Sequence, residues 1–225
     1  MTPTVAILVD RLEEDFGAAP LPPARTPLEL VLWENAAYLA DDDRRGMAFD
    51  RLRELTGFLP ERILAAEDET LREVARFGIV PDQTVGKLRR IAEIALIEFD
   101  GAVDDVVKLP SKAALRALRK FPAIGEPAAE KILMMNGVLK VLALESNGLR
   151  VLQRIGYAGE TGDYARDYKA MRDALGGAIP VDAGELTRAH FLLRRHGQTV
   201  CRRSVPECGR CPLAVDCAFR RASTV

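Results

Sequence analysis

The sequence predicts an all-α fold on three observations. Ala, Leu, Arg and Glu dominate the composition, and these are good helix formers. No segment sustains the period-two alternation of a half-buried strand. Apolar residues recur instead at helical spacing, in stretches punctuated by Pro, Gly and acidic caps. A hydrophobic content of 48% is enough for a true core, and 225 residues fit one large domain or two small ones. Roughly ten helices joined by short loops are expected.

Residues 1–17 place Val5, Leu8, Leu12 and Phe16 on one helical face, and a Pro-rich connector follows. Leu28–Ala40 is apolar on most sides, as a central buried helix would be. The run DDDRR reads as a turn or exposed segment, and AFDRLRELTG as a helix closed by Gly57. A helix starts at Pro60, and the next, DETLREVARFG, has Asp68 as its cap and a Gly stop. PDQTVGKLRRIAEIALIEF is a long amphipathic helix ended by Asp-Gly. SKAALRALRKF follows with Ser111 as its cap, then GEPAAEKILMMNGV. ESNGLRVLQRIGY, YARDYKAMRDALGG and DAGELTRAHFLLRRHG complete the set.

No run of apolar residues is long enough to span a bilayer, and the first residues lack a basic n-region. A reducing, cytoplasmic location is therefore expected, nucleoid-associated in a bacterium, and disulfides are not. The net charge of −1 conceals an asymmetry: Thr187–Val225 holds eight arginines against two acids, Glu207 and Asp216. On charge alone this is a solvated basic C-terminus, yet such a patch can also neutralise phosphates.

Every cysteine lies in that basic segment, as Cys201, Cys208, Cys211 and Cys217, spaced C-x6-C-x2-C-x5-C. Four thiolates can ligate one zinc or an iron–sulfur cube. Structural zinc favours two close pairs, whereas here one close pair is flanked by lone cysteines. A cube is wider than an ion and suits a longer wrapped loop, so the spacing favours [4Fe–4S] over zinc. Pro206 and Pro212 stiffen the loop, and Gly209 permits the tight turn.

With HFLLRRHGQTVC before it, this loop resembles the cluster loop of the endonuclease III / MutY group of helix-hairpin-helix DNA glycosylases. The resemblance runs in order from about Thr26 to Cys217. It implies a two-domain helix-hairpin-helix glycosylase fold with a DNA cleft between the domains. One would be a helical barrel over 28–137, with the hairpin at about 112–134; the other would unite 1–27 with 138–225 around the cluster loop, 201–217.

LRALRKFPAIGEPAAEKIL resembles the hairpin of that group through Phe121, Pro122, Ala123, Ile124, Gly125 and Ala129. A tight turn entering a helix N-terminus can present backbone N–H groups to a phosphate without reading sequence. Phe121, Pro122, Ala123, Ile124 and Gly125 are thus the hairpin DNA-binding candidates, and an ordinary αα-hairpin is the bland alternative. Ala123 replaces the usual first Gly. The resemblance adds Arg202 and Arg203 in the loop as contacts to the DNA backbone. Tyr38 and Leu39 match the stretch where relatives carry residues that wedge into the base stack.

The catalytic expectations also come from the resemblance. Where bifunctional members carry the Schiff-base lysine, this chain has Pro127, which cannot be a nucleophile. Lys131 lies one turn further on, displaced by about 6 Å. MutY-like members carry Asp-Gly-Asn-x-x-Arg-Val; here the stretch reads ESNGLRV, with Glu145 as the carboxylate, lengthened by a methylene, and Asn147 beside it. A misplacement of about 1 Å can lower a rate roughly a hundredfold. Aligned from Thr26-Pro27, Glu34 falls where MutY-like enzymes protonate the departing base, and burial in an apolar helix would favour its protonated form. Together Glu34 and Glu145 would make a two-carboxylate glycosidic site. Trp33, His190 and His196 read as core or supporting residues.

The reading is a monofunctional DNA base-excision glycosylase with a [4Fe–4S] cluster, monomeric, acting on double-stranded DNA that carries a damaged or mispaired base. Two other readings stay open. One is a non-catalytic member that binds DNA by its structure; the other is a bifunctional glycosylase/lyase using a different amine.

Overall fold

The computed structural model describes residues 2–37, 40–176, 179 and 182–223. Within these residues all regular structure is helical. In chain order the α-helices are α1 Val5–Phe16, α2 Pro27–Ala36, α3 Asp42–Thr56, α4 Pro60–Ala65, α5 Asp68–Ala75 and α6 Pro81–Phe99. They continue with α7 Ser111–Leu118, α8 Glu126–Met135, α9 Ser146–Ile155, α10 Tyr164–Leu175, α11 Ala183–Thr199 and α12 Ala218–Ser223. Two 3-10 turns, Val103–Lys108 and Cys208–Arg210, complete the set. None of these helices is long and apolar enough to cross a membrane. The chain divides into two compact units, Pro22–Val138 and Met1–Leu21 with Leu139–Val225.

In the first unit α2 is central, packing on α3, α6, α8 and the Val103–Lys108 turn. Its start is over-determined. Thr26 and Glu29 form a capping box, and Pro27 sits in the first turn, where a missing N–H costs nothing. Leu30, Val31, Leu32 and Ala36 are wholly buried, each larger side chain stabilising the unit by about 1.5–3 kcal/mol. The helix stops at Ala36, short of the expected Ala40, because Ala37 leaves helical geometry. The acidic run is exposed, as expected, but it is a helix start and not a turn. Asp41 accepts from Arg44 N (2.8 Å), and Asp42 and Asp43 occupy the positive end of α3.

Two expected caps differ as well. Glu67 precedes α5 and Pro110 precedes α7, so Asp68 and Ser111 are first helical residues that make no capping bond. The short Val103–Lys108 turn and α12 lack the periodic length that would have shown them in the sequence.

Helices α7 and α8 form the hairpin. Phe121 (3% exposed) and Ile124 (4%) point into the core, with Phe121 stacked on Phe99 at 5.5 Å. Ala123 is exposed and left-handed, at φ +57°, where an L side chain is strained. Ala123→Gly is expected to stabilise the protein by about 1 kcal/mol. A rise in melting temperature of roughly 2–4 °C checks it; an unchanged value would show that the turn carries no such strain.

In the second unit α9 and α11 form the main contact; α1 packs on α11, while α10 and α12 pack on α9. The approach of α9 to α11 depends on Gly197, where a Cβ would lie 2.6 Å from the Asn147 carbonyl oxygen. Helix α1 is held to α11 by Arg188, which pairs with Asp10 (2.7 Å) and Glu13 (2.6 Å).

Candidate functional site

In the unit Pro22–Val138, Glu34 lies in the last turn of α2 and is half-buried. Lys131 on α8 donates from Nζ to Glu34 Oε1 at 2.5 Å, and the two side chains retain 13% and 21% exposure, lysine first. The carboxylate in the apolar stretch of α2 therefore has a cation from a helix 97 residues on. Beside it, Asn35 is fully buried. Its Nδ2 donates to Val31 O and to Pro122 O, both at 2.9 Å, while Oδ1 has no partner. The end of α2 is thus joined to the hairpin at its turn and at its second helix.

At the hairpin itself, Gly125 is the N-cap of α8, Glu126 the first helical residue and Pro127 the second. Gly125 and Ala123 are exposed, as a backbone anion site requires, and Pro122 is half-buried. Pro127 removes one of the N–H groups that a helix start could offer, and Glu126 adds a negative charge there. Both features make this helix start a poorer place for an anion than an unencumbered one. Trp33 is core: it meets Phe49 edge-on at 5.4 Å, under the Arg45 guanidinium. Tyr38 and Leu39 lie outside the described residues.

In the other unit, Glu145 is the N-cap of α9. Its Oε1 accepts from Gly148 N and its Oε2 from Asn147 Nδ2, both at 2.7 Å. Asn147 Oδ1 in turn accepts from Arg150 Nη2 at 2.8 Å. Arg150 is only 6% exposed, and it also donates to Gly197 O (2.7 Å) and Cys201 O (3.1 Å). Burial lowers its pKa from the ordinary guanidinium value, with a smaller opposing effect from Cys201. One continuous network therefore runs from Glu145 through Asn147 and Arg150 to the first cysteine. Sequence reasoning saw Arg150 only as part of a resemblance; a buried arginine's partners are far apart in the chain. An open pocket of about 350 Å³ adjoins this network, lined by Ser146, Asn147, Arg150, Gly197, Gln198, Arg202 and Arg203.

Arg203 is exposed, and Arg154 Nη2 binds its carbonyl at 2.9 Å. Arg202 differs, since its guanidinium pairs with Glu207, as does that of Arg210. Of the two arginines expected on DNA, Arg203 is therefore the less engaged. His190 is buried, its Nδ1 2.6 Å from Ala143 O, and so supports the segment leading to Glu145.

None of the four cysteines is in a disulfide, and together they line one small pocket with Arg154, Val200, Pro206, Glu207 and Phe219. Arg154 Nη1 donates to Cys201 Sγ at 3.3 Å, and His196 Nε2 lies 3.5 Å from Cys211 Sγ. Burial holds the His196 pKa down to about 4, so at neutral pH the ring is uncharged. Burial also pushes the Cys211 thiol up to about 11. A bound metal centre supplies the positive charge that lets such thiols ionise. Among the described residues, no three His, Cys, Asp or Glu side chains converge as ligands of a single ion. Ligands of a cube stand further apart than those of one ion, and four soft donors around one pocket fit that larger group.

The chain thus combines a helix-hairpin-helix in one unit with a carboxylate–arginine network beside a four-cysteine loop in the other. No family model matches the chain. Endonuclease III homolog 2, chloroplastic, of Arabidopsis thaliana is 24% identical over 221 residues, 96% of this chain and 54% of the relative. Endonuclease III of Rickettsia conorii is 24% identical over 161 residues, 71% of this chain and 69% of the relative. Thus the chain spans about half the length of the plant relative. Two solved structures share the fold. A trapped endonuclease III–DNA covalent intermediate superposes with a TM-score of 0.76 at 19% identity, covering 98% of this chain and 97% of the other. A thermostable thymine-DNA glycosylase also reaches 0.76, at 16% identity, with 97% and 95% covered. The chain thus has the fold of these helix-hairpin-helix DNA glycosylases and is similar in sequence to endonuclease III relatives over most of its length.

Proposed function

We propose that this protein is a DNA base-excision glycosylase that removes a flipped, damaged or mispaired base by hydrolysis and leaves the sugar–phosphate strand intact. It acts as a monomer on double-stranded DNA, in the cytoplasm. The observation that carries the hydrolytic reading is the Lys131–Glu34 pair. The nucleophile position holds Pro127, and the nearest amine on that helix is engaged as an ammonium, which has no lone pair for attack on the sugar.

Base removal needs a proton for the leaving base, negative charge near a cationic sugar, and an oriented water. Glu34 is the residue proposed to serve the departing base: partly exposed, its carboxylate takes up a proton from water and passes it to the base. Glu145 supplies the negative charge, fixed by Gly148 N–H and by Asn147, and Asn147 orients water. The hairpin residues Phe121–Gly125 shape the turn that meets a phosphate, with Arg202 and Arg203 as further backbone contacts, and Tyr38 and Leu39 are the proposed wedge. Cys201, Cys208, Cys211 and Cys217 would hold the [4Fe–4S] cluster. When bound, it cross-links the loop and supplies shape and positive charge rather than a redox step in the hydrolysis.

The test is single-turnover incubation with duplexes bearing mispairs, uracil, oxidised or alkylated bases, each read with and without alkali. Strand breaks only after alkali are expected, and they name the base. Breaks without alkali would replace the hydrolytic reading with a lyase. The binding-only reading is favoured by one observation: both Glu145 oxygens already accept bonds within the chain. Tight binding to abasic duplex without any excision would establish it.

The arginines make a separate expectation. Arg203→Ala should reduce the slope of log affinity against log salt by about 0.9, the value of one phosphate contact on duplex DNA. Arg202→Ala should change it less, because Glu207 already neutralises that guanidinium. Equal slopes in both variants and wild type would place these arginines away from the backbone.

A further inference from the structure

We infer that Lys131 is a positioning residue for the Glu34 carboxylate, fixing it against the hairpin; the inference rests on the glycosylase reading above. Three observations carry it. The first is the 2.5 Å contact between helices α8 and α2. Glu34 sits in the last turn of α2, where the helix is about to end and its side chain has the least support from its own backbone. A second-helix ammonium at that point confines one carboxylate oxygen.

The second is cost. A partly buried ion pair stabilises a fold no better than a well-packed apolar pair, and often less well, because both charges give up water. A pair held at 13% and 21% exposure is a poor choice if packing alone were at stake. The third is Asn35, the next residue. It is fully buried, and its amide spans from α2 to the hairpin turn at Pro122 O although its own Oδ1 is left without a partner. An unsatisfied buried acceptor costs about 1–3 kcal/mol, and that cost is accepted where it fixes a geometry. Lys131 and Asn35 thus join consecutive residues of α2 to the same hairpin.

Displacing a reacting group by about 1 Å lowers a rate roughly a hundredfold. Lys131→Met keeps an unbranched side chain, one atom shorter, and removes the charge. At saturating DNA it should slow single-turnover excision about a hundredfold, while the Kd for a duplex with a stable abasic analogue stays within about twofold of wild type. Lys131→Arg, which restores a cation, should recover excision to within about tenfold of wild type. Circular dichroism on each variant confirms that it is folded; a Met variant that fails to fold hands the test to Lys131→Gln, with the same expectations.

Excision by the Met variant at the wild-type rate overturns the inference and leaves the glycosylase reading intact. Parallel losses of rate and of affinity, or no recovery in the Arg variant, make the pair merely structural and overturn it too. A borohydride-trapped adduct between abasic DNA and Lys131 would overturn it in favour of an amine nucleophile. If wild-type protein excises no base, the functional reading itself falls, and the role of Lys131 with it.

Discussion

Gly197→Ala should destabilise the protein by about 3 kcal/mol, the upper part of the range for forcing a methyl group into a packed core. For a chain of this size that is a drop in melting temperature of roughly 6–12 °C. The new Cβ would lie 2.6 Å from Asn147 O, 2.7 Å from Asn147 Cβ and 2.8 Å from Asn147 C. Two of these are backbone atoms, so no side-chain rotation relieves the clash; the start of α9 has to move from α11. That movement draws Arg150 away from Gly197 O and Cys201 O, its partners at 2.7 and 3.1 Å, and so disturbs the bonds that hold Asn147 and Glu145. Excision should therefore fall along with stability. A thermal melt within about 1 °C of wild type would mean that the two helices do not approach as closely as described.

Glu34→Gln should lower excision about 10²–10³-fold, the size of effect seen when one preorganised polar group is removed from a reacting site. It preserves shape and can still accept from Lys131, yet it can neither carry the charge nor pass a proton. The lost pairing should cost about 1 kcal/mol or less, because both side chains keep some exposure and the lysine can turn its ammonium to water. Affinity for abasic-analogue duplex should remain within about twofold, since the proposed phosphate contacts lie elsewhere. Single-turnover rates and a binding titration on the same preparation separate the two effects. Excision at the wild-type rate would remove Glu34 from the chemistry.

Much of the fold was legible because local rules carried it. Thr26, Pro27 and Glu29 announce the start of α2 by capping chemistry contained within four residues. Gly57 ends α3 in the left-handed conformation that glycine favours. The acidic run misled because three aspartates read equally well as solvated loop or as cap and first turn. The choice depends on where α2 stops, which α2's own apolar sequence does not say.

The site divides along the same line. By itself the sequence determined the helical class and the four-cysteine spacing, and it offered Pro127, Glu34 and Glu145 as the residues to ask about, since these are matters of residue identity, spacing and resemblance. Only the tertiary structure decided that Glu34 has Lys131 as its partner, that Glu145 is held through Asn147 and Arg150, and that Glu207 occupies Arg202. The first two arrangements join residues from different helices or across a helix turn, and the third closes within a loop. A side chain's charge is written in the chain, but what compensates that charge is set by packing.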